Sequence, residues 1–336
     1  MKTIVILLSL SLAGGSLFLL GCSKSAKSGP TANNNSPEAA SANGGATASG
    51  PTELKIKWQA GKVYDMVMNL KQSTDVNMPG RPVQTELKLS QELHYSPLAD
   101  ADSGGQKVEM KFENQKIDVI QNSQDVLNYD SSGTTPVQPN SPAAPVAAAI
   151  HAMVDVPLDY TLGADGTVEK IDGLDTLTNR MIAAVPNQQQ RMALSQLFDQ
   201  ETLKQYCSFS QSLPDHPVEV GDSWSSSHDI NSQAGMMTID GTYTFKDWEQ
   251  RDGHNCVHFL INGDIKTKTT SAATIGAVVK IQKGIINGEA WFDPDLGMFV
   301  ESDSDQDMTL DITTRSMALT EHLKQNVELS LMGIDP

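Results

Sequence analysis

The sequence predicts a β-rich α+β fold in which antiparallel meander sheets form two similar halves with a few helices between them. Three observations support this prediction. Alternating apolar and polar residues recur through residues 53–173 and 208–336, as expected for strands that bury one face. Gly, Asp and Pro turn signals separate these runs. Apolar residues at helical spacing are concentrated in residues 174–207.

The first 21 residues predict a signal peptide. Lys2 precedes an apolar run that is shorter than the roughly 20 residues needed to span a bilayer. The run ends in Leu19-Leu20-Gly21-Cys22, which resembles the lipobox of bacterial lipoproteins. This resemblance implies cleavage before Cys22 and lipidation of Cys22 with acyl chains such as palmitate. The alternative is an ordinary signal peptide whose cleavage region contains a cysteine.

Residues 22–52 predict a lipidated cysteine followed by a disordered linker. Ser, Ala, Gly, Asn, Pro and Thr dominate this stretch, so it cannot bury enough apolar surface to offset its ordering entropy. A coil of this length spans roughly 30 Å and would hold the folded body away from the lipid. Ser23 resembles the sorting residue that permits export from the inner membrane, which implies the outer membrane of a bacterial cell envelope.

The amino-acid composition limits the kinds of partner that the protein is expected to bind. The chain has 24 Lys and Arg against 41 Asp and Glu, a formal charge of −17, which disfavours nucleic acid. The expected membrane contact is therefore through lipidated Cys22. Cys207 and Cys256 are left as a candidate disulfide in an oxidising compartment, and two buried thiols are the alternative.

Local patterns place the elements along the body. Strands are expected at 54–58, 64–70, 87–95 and 108–112. Pro145 opens a short helix at 146–150, and a hairpin follows at 158–171 around Ala164-Asp165-Gly166. Helices are expected near 174–182, with Asp175 as cap, and near 194–198 and 203–207. Further strands are expected near 218–224, 237–245, 257–261, 275–286, 290–292, 298–312 and 327–331.

The two β regions resemble each other, which predicts an internal duplication. A shift of 148 residues places Tyr95 on Tyr243 and Gly105 on Gly253. Chance similarity between two β-meanders is the alternative. The resulting domain boundaries are 53–173 for the first half, 174–207 for a helical insert and 208–336 for the second half.

Several short motifs resemble a family of uncharacterised bacterial envelope lipoproteins. They are Gly61-Lys62-Val63-Tyr64, Asp165-Gly166-Thr167-Val168, Leu213-Pro214, Gly221-Asp222-Ser223-Trp224 and the Trp291-Phe292 hairpin. The resemblance implies a β-rich secreted domain. It supplies no catalytic residue.

The sequence predicts no catalytic residue, metal or cofactor. His254, Cys256 and His258 share a strand face, but the sequence offers no fourth zinc ligand. Asp303, Asp305 and Asp307 lack the Gly and closing Glu of a calcium loop. The sequence contains neither a G-x-S-x-G elbow nor a phosphate-binding Gly loop with Lys.

The function expected from these features is a non-enzymatic binding or carrier lipoprotein whose ligand is unknown. Methionines such as Met66, Met68 and Met110 suit an adaptable apolar lining, although core packing explains them equally well. The alternatives are a structural or assembly lipoprotein that meets a protein partner, and an envelope hydrolase.

The predicted lipid anchor depends on the thiol of Cys22. Cys22→Ser should leave the body soluble or joined to an uncleaved leader, because the thioether cannot form. Detergent partitioning and the mass of the N-terminal peptide measure this, with Ser23→Ala as the control that keeps the thiol. A Cys22→Ser protein that partitions like the parent with an unchanged N-terminus would show that Cys22 is not the anchor.

Overall fold

The computed structural model describes residues 50–77, 82–101, 104–133, 143–185, 188, 191, 200–232, 235–270, 277–314 and 318–336. This part of the chain is mostly β. Its strands are β1 Val63–Asn77, β2 Val83–Asp100, β3 Gln106–Gln121, β4 Gln124–Asp130, β5 Leu158–Leu162, β6 Val168–Asp172, β7 Ser223–Ser232, β8 Gly235–Arg251, β9 His254–Thr270, β10 Ala277–Asp293, β11 Met298–Thr314 and β12 Ala318–Asp335.

All twelve strands belong to one antiparallel sheet. Its order is β6-β5-β3-β2-β1-β12-β11-β10-β9-β8-β7, and β4 also pairs with β3. The first and last long strands meet at the centre, where Val63 pairs with Asp335 and Asn77 with Thr320. Every long strand alternates buried and exposed residues, so the sheet has an apolar inner face and a polar outer face.

The described helices pack on one end of the inner face, which we call the proximal end. They are α1 Ala144–Met153, α2 Leu174–Ala184, α3 Gln200–Lys204 and two 3₁₀ turns, Gln205–Cys207 and Phe209–Ser212. Their buried residues, including Ile150, Met153, Leu177 and Tyr206, join one cluster with strand residues of the proximal end. Within the described ranges, none of the helices is both long enough and apolar enough to cross a bilayer.

Buried hydroxyl and indole groups fix the segment Leu203–Ser212 to the sheet. The Tyr95 hydroxyl donates to the Tyr206 carbonyl over 2.7 Å, and the Tyr160 hydroxyl donates to the Leu203 carbonyl over 2.8 Å. The Trp224 indole N–H donates to the Ser212 carbonyl over 2.7 Å. Strands β2, β5 and β7 therefore hold this segment by polar as well as apolar contacts, which satisfies carbonyls that the packing buries.

Most predicted strands, α1, α2 and the hairpin of β5 and β6 lie where the sequence places them. Two local predictions are wrong. Leu54 and Trp58 are buried, as expected, but the segment 54–58 forms no strand, because the Lys57 N–H bonds to the Gly297 carbonyl at a turn instead of joining a ladder. The N-cap of α2 is Gly173, with φ of 90°, and Asp175 lies in the first turn.

The predicted division into two similar halves is not confirmed, because the strands form a single sheet. Tyr95 and Tyr243 do occupy similar places, since Tyr95 lies opposite Tyr64 and Tyr243 lies opposite Trp224. The boundaries at 173 and 207 remain predictions. The signal peptide, Cys22, the linker up to residue 49 and the helix predicted near 194–198 lie outside the described residues.

Glycines on β9 and β10 let the sheet strands approach closely. An added Cβ at Gly288 would lie 2.4 Å from the Asp303 carbonyl oxygen, and one at Gly263 would lie 2.5 Å from that of Asp240. Both contacts are to backbone, which cannot swing aside as a side chain can. These positions therefore require glycine for the close approach of neighbouring strands.

This constraint predicts that Gly288→Ala destabilises the protein by about 1–3 kcal/mol, because the β10 and β11 backbones must separate. Gly333→Ala on β12 is the matched control, since its added Cβ meets nothing within 4 Å. Urea unfolding measures both variants. Equal unfolding midpoints for the two would contradict the close-approach explanation.

Candidate functional site

The inner face carries a second apolar cluster at the end of the strands away from the helices, which we call the distal cluster. Its buried members come only from β7 to β12: Ile230, Met237, Ile239, Ile265, Val279, Ile286, Met308, Leu310, Ile312 and Leu323. No described helix contributes a side chain to it. Residues 78–81, 233–234, 271–276 and 315–317, which follow strand ends on this side in the sequence, lie outside the described part of the chain.

A row of buried amides separates the distal cluster from the helix-covered core. Gln306, Gln325 and Gln72 lie directly opposite one another on β11, β12 and β1, and each is at most 4% exposed. The Gln72 amide donates to the Thr74 hydroxyl over 3.0 Å. Burying an amide costs free energy unless it is hydrogen-bonded. The row is a polar boundary between two apolar regions of the inner face.

The ladder between β9 and β10 ends beside the distal cluster. The two strands pair only from Val257–Phe292 to Asp264–Ile285 among the residues described. Beyond that point β9 stays paired with β8 and β10 stays paired with β11. The Ile281 N–H donates instead to the Thr267 hydroxyl over 2.7 Å. At this seam β9 and β10 therefore have fewer paired residues than the other neighbouring long strands of the sheet.

Glu321 of β12 is buried at the distal end. Glu321 is only 2% exposed, although it carries a carboxyl group. It lies opposite Leu310 on β11 and Val76 on β1, and Leu319 and Leu323 flank it on the same face. Within the described part of the chain it makes no hydrogen bond or ion pair. A buried carboxyl without a partner is rare because its ionised form loses hydration without compensation.

Burial raises the pKa of Glu321 from 4.5 to about 7. No charge among the described residues contributes, which agrees with the apolar side chains around it. The ionisable residues next to it in the pairing register, Asp75, His322 and Asp311, follow the opposite parity and belong to the outer face. Strongly shifted groups of this kind are concentrated at functional sites.

His228 is a second ionisable group on the inner face at this end. It lies on β7 opposite Ile239 and is 5% exposed. Burial lowers its pKa to about 4, so its imidazole is neutral above pH 5. The inner face thus presents an apolar surface with two groups, Glu321 and His228, that burial pushes towards their neutral forms.

The outer face carries a different constellation around His258 of β9. The His258 ring stacks on Trp291 with centroids 4.7 Å apart. Its Nδ1 lies 2.9 Å from Asp247, and its Nε2 lies 2.7 Å from Glu289. The central carbon of the Arg251 guanidinium lies 4.0 Å from the centroid of the Trp291 ring. These groups satisfy one another, since each ring nitrogen of His258 has a carboxylate within hydrogen-bond distance.

Two outer-face groups have ligand atoms close enough to hold a metal ion. They are Asp247, Glu249 and His258, and Asp65, His94 and Glu113. A shallow depression of about 530 Å³ also lies on the outer face, between the charged side chains of Lys71, Lys88, Asp305 and Lys324 among others. Its charges pair within the surface, as with Lys71 and Glu328 at 2.9 Å, which is typical of a solvated strand face.

The three cysteines named as candidate site residues from the sequence do not form one site. Cys22 lies outside the described residues. Cys207 belongs to the helix-covered core at the proximal end, Cys256 packs with Trp291 and Val300 on the outer face, and both are free thiols. Burial raises the pKa of Cys256 to about 12 and also raises that of Cys207. The structure thus has the two buried thiols that were the alternative to a disulfide.

The considered zinc ligands do not converge. His254 pairs with Asp293 at 2.8 Å, while Cys256 and His258 have the separate surroundings given above. The Asp303 and Asp305 carboxyls share the Asn326 side-chain amide, at 2.6 and 3.2 Å. Glu321 was missed, because its strand was recognised only from Val327 onward. The alternation of Leu319, Glu321 and Leu323 was the available signal.

The sequence of this chain matches the model of a known protein family. A model of a family of unknown function (DUF6263) matches residues 103–299, more than half of the chain. The chain belongs to this family. The match runs from the end of β2 to the start of β11, so it covers β3 to β10 and all described helices. No curated protein matches the sequence.

Two solved structures show limited similarity. A structure entitled "Lipid-protein interactions in lipovitellin" aligns with 83% of this chain and 26% of its own, at 10% identity and a TM-score of 0.46. This chain thus spans about a quarter of that one. Pseudomonas aeruginosa OpdQ aligns with 81% of this chain and 98% of its own, at 8% identity and a TM-score of 0.14. Both scores are below 0.5, so neither comparison establishes a shared fold or ligand.

The raised pKa of Glu321 makes folding stability depend on pH. Between pH 4.5 and 7 the folded protein keeps a proton on Glu321 that the unfolded chain has lost. Stability therefore falls as pH rises through this window, and the full cost persists above pH 7. Glu321→Gln should remove this cost and stabilise the protein at pH 8 by on the order of 3 kcal/mol relative to the parent.

Urea unfolding at pH 4.5 and pH 8 measures the difference between Glu321→Gln and the parent. The difference should grow with pH, whereas Glu328→Gln, on the outer face of the same strand, should not reproduce the stabilisation. A difference that is equal at both pH values would show that Glu321 does not titrate in this window.

Proposed function

We propose that this protein is a lipid-anchored binding protein of the bacterial cell envelope that receives an apolar chain in the distal cluster. The observation that carries the proposal is the buried carboxyl of Glu321, which has no partner, within the buried apolar surface of the distal cluster, to which no described helix contributes a side chain. Such a surface suits an apolar ligand with one polar group, because small-molecule sites combine apolar lining with a few placed polar groups.

The polar boundary row supports a site that is separate from the structural core. Gln72, Gln306 and Gln325 divide the inner face, so a ligand in the distal cluster would not disturb the packing of the helices. The seam between β9 and β10 supports a route of entry. Strands that share few backbone hydrogen bonds can separate at a low free-energy cost.

The surroundings of Glu321 favour binding over catalysis. A catalytic carboxyl works with a nucleophile, a base or an orienting group within hydrogen-bond reach. Glu321 instead faces Leu310 and Val76. The proposed role is therefore that of a carrier or binding lipoprotein, as the lipobox and linker also suggest.

The proposed anchor places the site near its source of ligand. Lipidation of Cys22 would hold the body at the membrane through a linker with a reach of roughly 30 Å. Ser23 favours the outer membrane as the location. A carrier on such a tether could exchange single-chain amphiphiles with the bilayer without inserting its acidic body, whose charge opposes contact with anionic lipid.

Photolabelling tests the site on the full protein in phosphatidylcholine vesicles. A dodecanol that bears a diazirine near its tail should form adducts on distal-cluster strands, around Met237–Ile239 and Met308–Ile312. Unlabelled dodecanol should compete. Ile312→Asn should weaken labelling at least tenfold, because it places an amide in the apolar surface, whereas Thr313→Asn on the outer face should label like the parent.

Peptide mapping by mass spectrometry and the half-saturating probe concentration are the readouts. If Ile312→Asn does not fold, the parent alone decides, through the position of its adducts and their competition by dodecanol. Adducts on the outer face, or labelling that unlabelled dodecanol does not reduce, would contradict the proposal and leave the assembly role as the better account.

A further inference from the structure

We propose that Glu321 selects ligands whose apolar chain carries a protonated amine, and that the ammonium group binds its carboxylate on the inner face. This inference rests on the proposed function and specifies the ligand class of the same site. It starts from the position of Glu321, which is buried among apolar side chains of β1, β11 and β12 with no partner of its own.

An ammonium group supplies what the surroundings of Glu321 lack. Ionised carboxylate loses hydration on burial, and a cation that donates hydrogen bonds compensates that loss more fully than a neutral donor does. Each described position that faces Glu321 is apolar: Val76 and Leu310 across the strands, and Leu319 and Leu323 along β12. A bound cation would supply the charge that these described positions lack.

The charge of the whole protein favours the same ligand class. The chain has a formal charge of −17, which attracts amphiphilic cations and repels fatty-acid anions. A chain with a carboxylate would also bring a second negative charge to Glu321. His228, the ionisable group of β7 on the inner face, is neutral above pH 5 and does not alter this balance.

Amine binding and chain binding can be separated in one experiment. Full protein in phosphatidylcholine vesicles at pH 8 is labelled with tail-diazirine dodecylamine, dodecanol and dodecanoate. The parent should label with the amine at a half-saturating concentration at least tenfold below that of dodecanol, and least well with dodecanoate. Glu321→Gln should lose this preference, so that its half-saturating concentrations for the amine and for dodecanol differ by less than twofold.

Two further comparisons isolate Glu321 from the outer charges. At pH 5, below the pKa of Glu321 of about 7, the parent should lose its preference for the amine because the carboxyl is protonated. Glu328→Gln, on the outer face of the same strand, should keep the preference. In 0.3 M salt the parent should also keep most of it, since salt screens exposed charges far more than buried pairs.

The outcomes distinguish the two proposals. If dodecanol binds in the distal cluster but the amine is not preferred, or if Glu321→Gln keeps the preference, selection by Glu321 is wrong while chain binding stands. If no probe labels the distal cluster, the proposed function itself is wrong. A preference that depends on Glu321 and disappears at pH 5 supports both.

Discussion

The strands of this sheet are much longer than the helical layer that covers them, and the rest of the structure follows from that mismatch. Strands β8 to β11 have 17 residues each, or roughly 55 Å, whereas α1 has 10 residues and a length of roughly 15 Å. The inner face alternates apolar residues to both ends, so its distal part must bury apolar surface without help from the described helices. The row of buried amides on β11, β12 and β1 lies at the boundary between the helix-covered core and the distal cluster.

The two ends of the inner face are stabilised in different ways. At the proximal end, buried tyrosine and tryptophan groups hydrogen-bond to helix carbonyls, and every such pair satisfies both partners. At the distal end, Glu321 has no partner and destabilises the fold whenever it is ionised. Proteins retain such unfavourable groups where function requires them, which is the physical basis for placing the site there.

Much of the fold could be predicted from the sequence, because alternation reports which face of a strand is buried. The patterns around Tyr64, Tyr243 and Phe299 identify β1, β8 and β11, and Pro145 marks the start of α1. Local patterns do not report which strands pair, so the pairing of β1 with β12 and the single sheet could not be predicted. The N-cap of α2 was misassigned because glycine can take the position by its backbone alone. Glu321 was missed because the sequence prediction of its strand begins only at Val327, whereas β12 begins at Ala318.

A crystal structure of the protein grown with dodecylamine tests the central claim most directly. The account predicts a continuous chain of density along Leu310, Ile312 and Leu323 on the inner face, with its nitrogen within hydrogen-bond distance of a Glu321 carboxylate oxygen. Unchanged side-chain packing in the distal cluster, with the amine bound only at outer-face carboxylates such as Asp303 and Asp305, would contradict it.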